Sequence, residues 1–268
     1  MASDGPLISA VNEPVRAPHP ILPAYYGSDE AKRDFVVNLF DASATDYDRV
    51  DRFLSFGYGS WYRQQALLRA GLEPGMRLLD VAVGTGLLAR EARLILGEAG
   101  DVVGVDPSAR MLGAAKADGL ALVRARGEEL PFAGAAFDFL SVGYALRHLS
   151  DLGAAFREFR RLLRPGGRLL LLEMTPPSGW LGHAAFKAYM GGVVPWLTRF
   201  VARRPETTTL YRYYWHTIEA CEAPSRIVET LEAAGFTHAE RSVEYGIFSE
   251  YRGTRSRGRA GEIRINRS

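Results

Sequence analysis

Two glycines and a carboxylate in the sequence have the spacing of a site that binds an adenosine-containing ligand. Gly84 and Gly86 follow the apolar run Arg77–Ala82, and Asp106 closes the next apolar run. Glycines let the backbone approach a ligand closely, and the helix after them presents free N–H groups at its start. A carboxylate at the end of the second strand of a doubly wound sheet accepts hydrogen bonds from both ribose hydroxyls. The pattern therefore predicts an adenosyl ligand.

Two cofactors fit this turn. Gly84-x-Gly86-x-x-Ala89 also satisfies a relaxed dinucleotide fingerprint. Asp80, however, lies just before the turn, where a carboxylate binds an amino-acid ammonium but repels a pyrophosphate. This favours S-adenosylmethionine over NAD. A turn that merely connects a strand to a helix is the alternative that involves no ligand.

Apolar periodicity predicts the elements that would position these residues. Short apolar runs alternate with helical stretches, which is typical of a parallel sheet covered on both faces. We expect an α/β fold with a Rossmann-like, doubly wound, mostly parallel sheet, N-terminal helices over 29–70 and a C-terminal antiparallel hairpin over 236–251. The predicted parallel strands are Arg77–Ala82, Val102–Val105, Ala121–Ala125, Phe137–Val142 and Arg168–Glu173.

The chain is predicted to form a single domain over residues 28–251. Residues 1–27 contain five prolines and no sustained period, which predicts a flexible arm. Residues 252–268 hold six arginines against one glutamate, which predicts a basic, flexible tail. Residues 175–222 interrupt the alternation, and we interpret them as a lid over the acceptor. Its candidate pocket-lining residues are Trp180, Phe186, Tyr189, Met190, Trp196, Tyr213, Tyr214 and Trp215.

The composition is that of a globular protein with no nucleic-acid-coating character. Of the 268 residues, 47% are hydrophobic and 24% are charged, and the formal net charge is +2. Cys221 is the only cysteine, which excludes disulfides within the chain and multi-thiolate metal sites, and we expect no metal. No apolar run approaches the ~20 residues of a membrane span, and the first residues match no secretory signal. We therefore expect a cytoplasmic protein without a transmembrane segment.

Several further segments resemble one enzyme family when they are taken in order. They are Asn38–Asp41, Leu54–Gly57, Leu79–Gly86, Glu128–Phe132, Gly143–His148, Leu163–Leu169, Leu172–Pro176 and Tyr211–Ile218. Over residues 35–253 the chain resembles the ubiquinone/menaquinone-biosynthesis C-methyltransferase family, which belongs to the class I S-adenosylmethionine-dependent methyltransferases. The resemblance implies the Rossmann-like fold and S-adenosyl-L-methionine as the cofactor.

The resemblance also implies roles for individual residues. Tyr47 is expected over the methionyl end of the cofactor and Met111 beside the adenine. Arg126 departs from the family pattern, in which asparagine or aspartate is usual, so Gly127 is expected to offer its backbone instead. The complete set of predicted cofactor-binding residues is Tyr47, Asp80, Ala82, Gly84, Thr85, Gly86, Asp106, Met111, Arg126, Gly127 and Gly143.

Most departures from the family pattern fall on the acceptor side. Gly59-Ser60 replaces a histidine-arginine pair, His148 replaces an asparagine, and His216 replaces a glutamate. An imidazole titrates near ~6.5, so His148 can serve as a base, whereas Arg147 can only stabilise an anion or orient water. We predict His148, Arg147 and His216 as the catalytic candidates, with His216 tested after His148. The same cofactor with a different acceptor is the simplest interpretation.

These observations predict methyl transfer to carbon or oxygen of a hydroxylated aromatic or quinol-like small molecule, in quinone or specialised-metabolite biosynthesis. An NAD(P)-dependent oxidoreductase that uses the same turn is one alternative. A non-catalytic protein that keeps S-adenosylmethionine binding is another. The expected partner is the small-molecule acceptor and not a nucleic acid, and a homodimer is left open.

Overall fold

A seven-stranded sheet forms the centre of the computed structural model, which describes residues 16–116 and 120–257. Its strands are β1 (Arg77–Val81), β2 (Asp101–Asp106), β3 (Ala121–Arg124), β4 (Phe137–Gly143), β5 (Leu163–Met174), β6 (Phe236–Glu244) and β7 (Phe248–Arg255). They lie in the order β3-β2-β1-β4-β5-β7-β6, and β7 is antiparallel to both of its neighbours. The predicted mostly parallel, doubly wound sheet and its C-terminal hairpin are confirmed.

Helices cover both faces of the sheet and one of its ends. They are α1 (Asp29–Leu54), α2 (Gly59–Arg69), α3 (Leu87–Leu96), α4 (Ala109–Ala115), α5 (Leu152–Leu162), α6 (Trp180–Lys187), α7 (Val194–Val201), α8 (Pro205–Glu219) and α9 (Pro224–Ala233). Ser28 begins α1, because its side chain accepts a hydrogen bond from the Ala31 N–H. The predicted N-terminal helices are confirmed, with a break between Leu54 and Gly59.

Alternate residues of each central strand pack into two different apolar clusters. In β1, Leu79 and Val81 pack with the buried stripe of α5, whereas Leu78 packs with α2 and α3. A third cluster, formed mainly by α1 and α6–α8, joins the helices outside the sheet. The chain order reverses between β1 and β4, and such a reversal leaves a crevice at the carboxyl ends of the strands.

Part of the predicted N-terminal arm is anchored, so the prediction of a flexible arm is wrong for residues 16–27. The Leu152 N–H donates to the Arg16 carbonyl (2.9 Å), and the Glu222 N–H donates to the Pro18 carbonyl (2.7 Å). Tyr26 is buried in the third cluster. Proline spacing carries no information about these contacts, because they are made to α5, to α8 and to the connection between α8 and α9. Residues 1–15 lie outside the described residues.

The predicted boundary at residue 251 is also too early. β7 continues to Arg255, and Arg252 is paired with Leu170 of β5 and Glu240 of β6. A count of charged residues does not show this, because a strand tolerates arginines whose long side chains reach solvent. Residues 258–268 of the predicted tail lie outside the described part of the chain.

Candidate functional site

A cavity lies at the carboxyl ends of β1, β2 and β4, where the strand order reverses. All the predicted cofactor-binding residues except Gly86 line it. Side chains from α1 and α8 form the rest of the wall, among them Val36, Phe40, Tyr47 and Tyr214. The structure therefore brings together residues that the sequence distributes over most of its length.

The glycine turn between β1 and α3 has a left-handed backbone at three positions. The φ angles are 56° at Ala82, 56° at Gly84 and 90° at Gly86. Glycine adopts such angles readily, whereas a residue with a Cβ is strained there. Gly86 precedes the first turn of α3 and donates its N–H to the Val83 carbonyl (2.9 Å). Its role is to shape the turn, which explains why it does not line the cavity.

Asp106 at the end of β2 fixes this turn. Its Oδ2 accepts from the Gly84 N–H (2.9 Å), and its Oδ1 accepts from the Ser108 N–H (2.8 Å). Burial raises the pKa of the Asp106 carboxyl to about 6, although both backbone hydrogen bonds lower it. Each oxygen has a further lone pair, so this carboxylate can also accept from a ligand at the cavity wall.

Asp80, at the end of β1, is 1% exposed and lines the same cavity. Its Oδ1 accepts a hydrogen bond from the Ser141 hydroxyl of β4 (2.7 Å). Burial raises the pKa of the Asp80 carboxyl to about 7, with a smaller contribution from the charge of Asp106. A buried carboxylate in this state is stabilised by a cationic ligand group.

α1 is joined to the turn by polar contacts of its own. The Thr85 hydroxyl donates to Asp48, which also accepts from Arg90 (2.9 Å). The Ser108 hydroxyl, which caps α4, donates to Asp41 of α1. The Thr85 hydroxyl is therefore hydrogen-bonded to α1, so the predicted contact of Thr85 with the cofactor would be made by its backbone.

The predicted adenine-side residues occupy different environments. Met111 of α4 is 1% exposed and lines the cavity. A Cβ at Gly127 would lie 2.8 Å from Leu149 Cδ2, so only glycine fits there without a shift. Arg126 is exposed, and its guanidinium donates to the Ser150 hydroxyl (3.3 Å) at the surface beside the cavity. A Cβ at Gly143 would lie 3.2 Å from Leu88 Cδ2.

His148 ends the 3₁₀ turn Leu146–His148 that follows β4. Its ring stacks on Tyr213 (centroids 5.6 Å apart) and Tyr214 (5.9 Å) and meets the edge of Phe40 (5.3 Å). Neither ring nitrogen has a hydrogen-bond partner among the described residues. The residue contributes to the cavity wall, and both of its ring nitrogens are buried.

The imidazole of His148 is neutral in the folded protein. Burial lowers its pKa well below 6.5, and the charges of Arg147, Lys32 and His19 lower it further. A neutral imidazole has one nitrogen that accepts a proton or a hydrogen bond and one that donates. This environment keeps the accepting form present even in mildly acidic solution.

Arg147 does not line the cavity, so the structure does not place its guanidinium where it could contact an acceptor anion directly. Its guanidinium is 2% exposed, donates to Glu173 and to the Thr217 hydroxyl (3.0 Å), and lies 4.8 Å from the Tyr214 ring centroid. Consecutive side chains of a 3₁₀ turn point about 120° apart, so Arg147 and His148 face different directions although they are adjacent in the sequence. Arg147 is a positioning residue that joins β5 to α8 behind His148.

His216 is also placed away from the cavity. It lies on the exposed side of α8, where its Nδ1 is 2.6 Å from the Tyr25 hydroxyl. Helical periodicity turns it away from Tyr214, so the structure does not place its imidazole at the cavity wall. Of the predicted pocket-lining aromatics, only Tyr214 reaches the wall; the rest pack in the third cluster or are exposed.

Sequence reasoning missed Arg63, Tyr144 and Phe40 in the cavity wall. Arg63 of α2 is 6% exposed and donates to Asp51 (2.7 Å). A Cβ at Gly59 would lie 2.9 Å from Arg63 Nη1, so the glycine at that position leaves room for the guanidinium. The Gly59 departure from the family pattern was the available signal, but it did not indicate which side chain takes the space.

Comparison with protein families matches residues 27–255 to the model of the ubiE/COQ5 methyltransferase family. The ubiquinone/menaquinone biosynthesis C-methyltransferase of Syntrophotalea carbinolica is 35% identical over 225 residues, which is 81% of this chain and 93% of that protein. Its counterpart from Hahella chejuensis is 32% identical over 212 residues, covering 76% and 84%.

Solved structures share the fold at lower identity. A SAM-dependent methyltransferase from Thermotoga maritima superposes with a TM-score of 0.58 at 20% identity, covering 82% of this chain and 99% of that one. At this identity the likeness concerns the fold alone. It agrees with the α/β fold described above.

Proposed function

Because the chain belongs to the ubiE/COQ5 methyltransferase family and is an S-adenosylmethionine-dependent methyltransferase, we propose that its acceptor is a hydroxylated aromatic or quinol-like small molecule. Methylation at carbon or at oxygen is included in this proposal. The acceptor belongs either to quinone biosynthesis, as the relatives' names suggest for those proteins, or to specialised metabolism. The observation that carries the proposal is the unpartnered ring of His148 in an aromatic part of the cavity wall.

The residues around the turn fit the cofactor. Asp106, tied to the turn by two backbone N–H groups, would accept from the ribose hydroxyls, and Met111 and Gly127 would border the adenine. Asp80 is a buried carboxylate with a raised pKa and would bind the ammonium group of the cofactor. The Arg63 guanidinium would face the carboxylate of the cofactor. The bound cofactor supplies an electrophilic methyl group.

Aromatic side chains would hold a planar acceptor. Phe40, Tyr47 and Tyr214 line one part of the wall, and the Tyr214 hydroxyl donates to the Tyr47 hydroxyl (3.2 Å). Flat rings favour offset or edge contacts with other aromatic rings. Positioning supplies much of the acceleration in a displacement that requires an in-line approach, so a rigid aromatic wall serves the reaction directly.

His148 would accept the hydrogen of the acceptor hydroxyl. Its neutral ring has a free accepting nitrogen, which makes the oxygen or the conjugated ring carbon more nucleophilic as the hydrogen bond tightens. Because its pKa is lowered, the ring stays neutral until it takes the proton of the acceptor hydroxyl. Tyr213, Tyr214 and Phe40 fix the orientation of the ring during this step.

The test is turnover on a panel of phenols and quinols with His148→Ala and His148→Asn. We expect the alanine variant to lose roughly two to four orders of magnitude in maximal rate, with little change in S-adenosylmethionine affinity. The asparagine variant keeps hydrogen bonding but accepts no proton, so its defect should shrink at high pH, where the acceptor ionises unaided.

Two outcomes would contradict this proposal. Full activity of His148→Asn with an unchanged pH profile would reduce His148 to an orienting residue. The absence of turnover on the whole panel by the unaltered protein, with S-adenosylmethionine binding intact, would exclude this acceptor class. Binding measurements with NADH provide the comparison for the oxidoreductase alternative, which the family match disfavours.

A further inference from the structure

One helical segment on the surface is apolar on two opposite sides. α6, the π-helical turn Ala188–Val193 and α7 follow one another without a break. On the inner side, four buried residues spaced four apart face the third cluster and α8: Phe186, Met190, Val194 and Thr198. The fold therefore uses one side of this segment completely.

The outer side is also apolar, and it is exposed. Tyr189, Val193, Trp196 and Phe200 are exposed, and their intervals of four, three and four place them on one side of a helix. Trp196 is 57% exposed and Phe200 72% exposed, with ring centroids 5.1 Å apart. A surface helix of a soluble protein normally presents polar residues on this side.

The charged residues within this stretch of the chain have one sign. No acidic residue occurs between Glu173 and Glu206, whereas Lys187, Arg199, Arg203 and Arg204 all lie in that interval and are exposed. Lys187 is paired with Glu219 of α8 (3.2 Å), so the three arginines supply most of the uncompensated charge. They flank Phe200, so the cationic and aromatic side chains are neighbours in the chain.

We propose that this outer face, defined by Tyr189, Val193, Trp196 and Phe200 with Arg199, Arg203 and Arg204, binds the surface of an anionic lipid bilayer. Tryptophan and phenylalanine on one side with arginine beside them are the features of a helix that lies in the interface plane. Arginine near an anionic membrane adds electrostatic attraction.

The charge argues against self-association through the same face. A two-fold dimer would place the arginines of one copy against those of the other, with no acidic residue in the segment to compensate them. Within residues 16–116 and 120–257, no helix is long and apolar enough to cross a membrane. The association is therefore peripheral.

The face is preformed, which lowers the entropic cost of binding. A Cβ at Gly191 would lie 3.1 Å from the Trp215 ring, so the glycine lets the segment pack closely on α8. α8 carries Tyr214, which lines the cavity, whereas no residue of α6 or α7 does so. Bilayer contact and methyl transfer thus use different residues, and the inference does not depend on the acceptor.

Co-sedimentation of the full chain with vesicles tests the proposal. We expect binding to vesicles of phosphatidylcholine mixed with phosphatidylglycerol, weak binding to phosphatidylcholine alone, and release at high salt. The double variant Trp196→Ser with Phe200→Ser should lose binding. Each of Arg199→Gln and Arg203→Gln should weaken it roughly fivefold. Leu94→Ser is the matched control, because Leu94 is a 71% exposed apolar residue on α3.

Calorimetric titration with S-adenosylmethionine shows that each variant is folded, because none of the substituted residues lines the cavity. No sedimentation of the unaltered chain with anionic vesicles would overturn the proposal. Full vesicle binding by the Trp196→Ser, Phe200→Ser variant would overturn it as well. The same holds if that variant binds fully and removal of residues 258–268 abolishes binding, because the binding would then depend on those residues and not on the outer face. A shift from dimer to monomer in that variant, without vesicle binding, would assign the face to a second copy and overturn it as well.

Discussion

Asp106 is the side chain on which the predicted ribose contact depends. Replacing it with alanine removes a charged acceptor whose hydrogen bonds contribute about 1.5–3 kcal/mol each. Asp106→Ala should therefore weaken S-adenosylmethionine binding by at least about tenfold, as measured by calorimetry. Asp106→Asn is the control, because one amide oxygen can still accept from the Gly84 N–H and preserve the turn. Unchanged affinity in the folded alanine variant would refute the ribose assignment.

We expect Asp80 to make cofactor binding depend on pH. Its pKa is raised to about 7 in the ligand-free protein, so a proton must leave before the carboxylate can bind an ammonium. Affinity should fall as pH decreases below about 7, by up to about tenfold per pH unit, with proton release visible in buffers of different ionisation enthalpy.

Asp80→Asn isolates this effect. The variant should bind S-adenosylmethionine weakly, and the steep part of the pH dependence near 7 should disappear. A smaller dependence near 6 should persist, because the pKa of Asp106 is raised to about 6 and its carboxylate also serves the ligand. An Asp80→Asn variant with the same pH profile as the unaltered chain would contradict the assignment.

Among the elements, the segment before α1 has a larger role than its composition suggests. Tyr26 is 5% exposed and packs against Tyr213, whose ring stacks on His148. Tyr26→Ala should cost about 3 kcal/mol or more of unfolding free energy, measured by denaturant titration. Tyr25→Phe removes only the hydroxyl contact to His216 and should cost less than about 1 kcal/mol. Equal stability of both variants would return this segment to the status of a loose arm.

The buried ion pair between Arg147 and Glu173 joins the 3₁₀ turn to β5. Glu173→Gln leaves a buried guanidinium without its counter-charge and should destabilise the protein by roughly 3 kcal/mol. Asp101→Asn is the matched control, because the Arg77–Asp101 pair is 43% and 54% exposed and should contribute less than about 1 kcal/mol. Similar denaturation midpoints for the two variants would contradict this distinction.

The sequence predicts the sheet better than it predicts the acceptor wall. The strands, the glycine turn, Asp80 and Asp106 can be recognised from local sequence patterns, because each of the two aspartates stands at the end of a predicted strand. His148 lies at the cavity wall, but its partners Phe40 and Tyr214 come from α1 and α8, whose docking depends on tertiary packing. Periodicity does not determine that docking, and for the same reason it misplaced Arg147 and His216.

At the scale of the whole molecule, α1 links the helical layer to the cofactor turn. Asp48 accepts from Thr85, Asp41 accepts from Ser108, and Tyr47 contacts Tyr214 of α8. S-adenosylmethionine should therefore slow amide hydrogen exchange in α1 and α8 as well as in the turn. Protection confined to the turn, with α1 exchanging as before, would show that the helical layer moves independently.

The cavity wall is divided by origin: the ends of β1, β2 and β4 supply the side proposed to bind the cofactor, whereas α1 and α8 supply Phe40, Tyr47 and Tyr214. During divergence, substitutions on the helices can therefore accumulate without disturbing the backbone geometry of the turn. New acceptors become accessible through a few helical positions while the methyl donor is kept. A library restricted to Phe40 and Tyr214 would sample acceptor preference in a background of constant donor affinity.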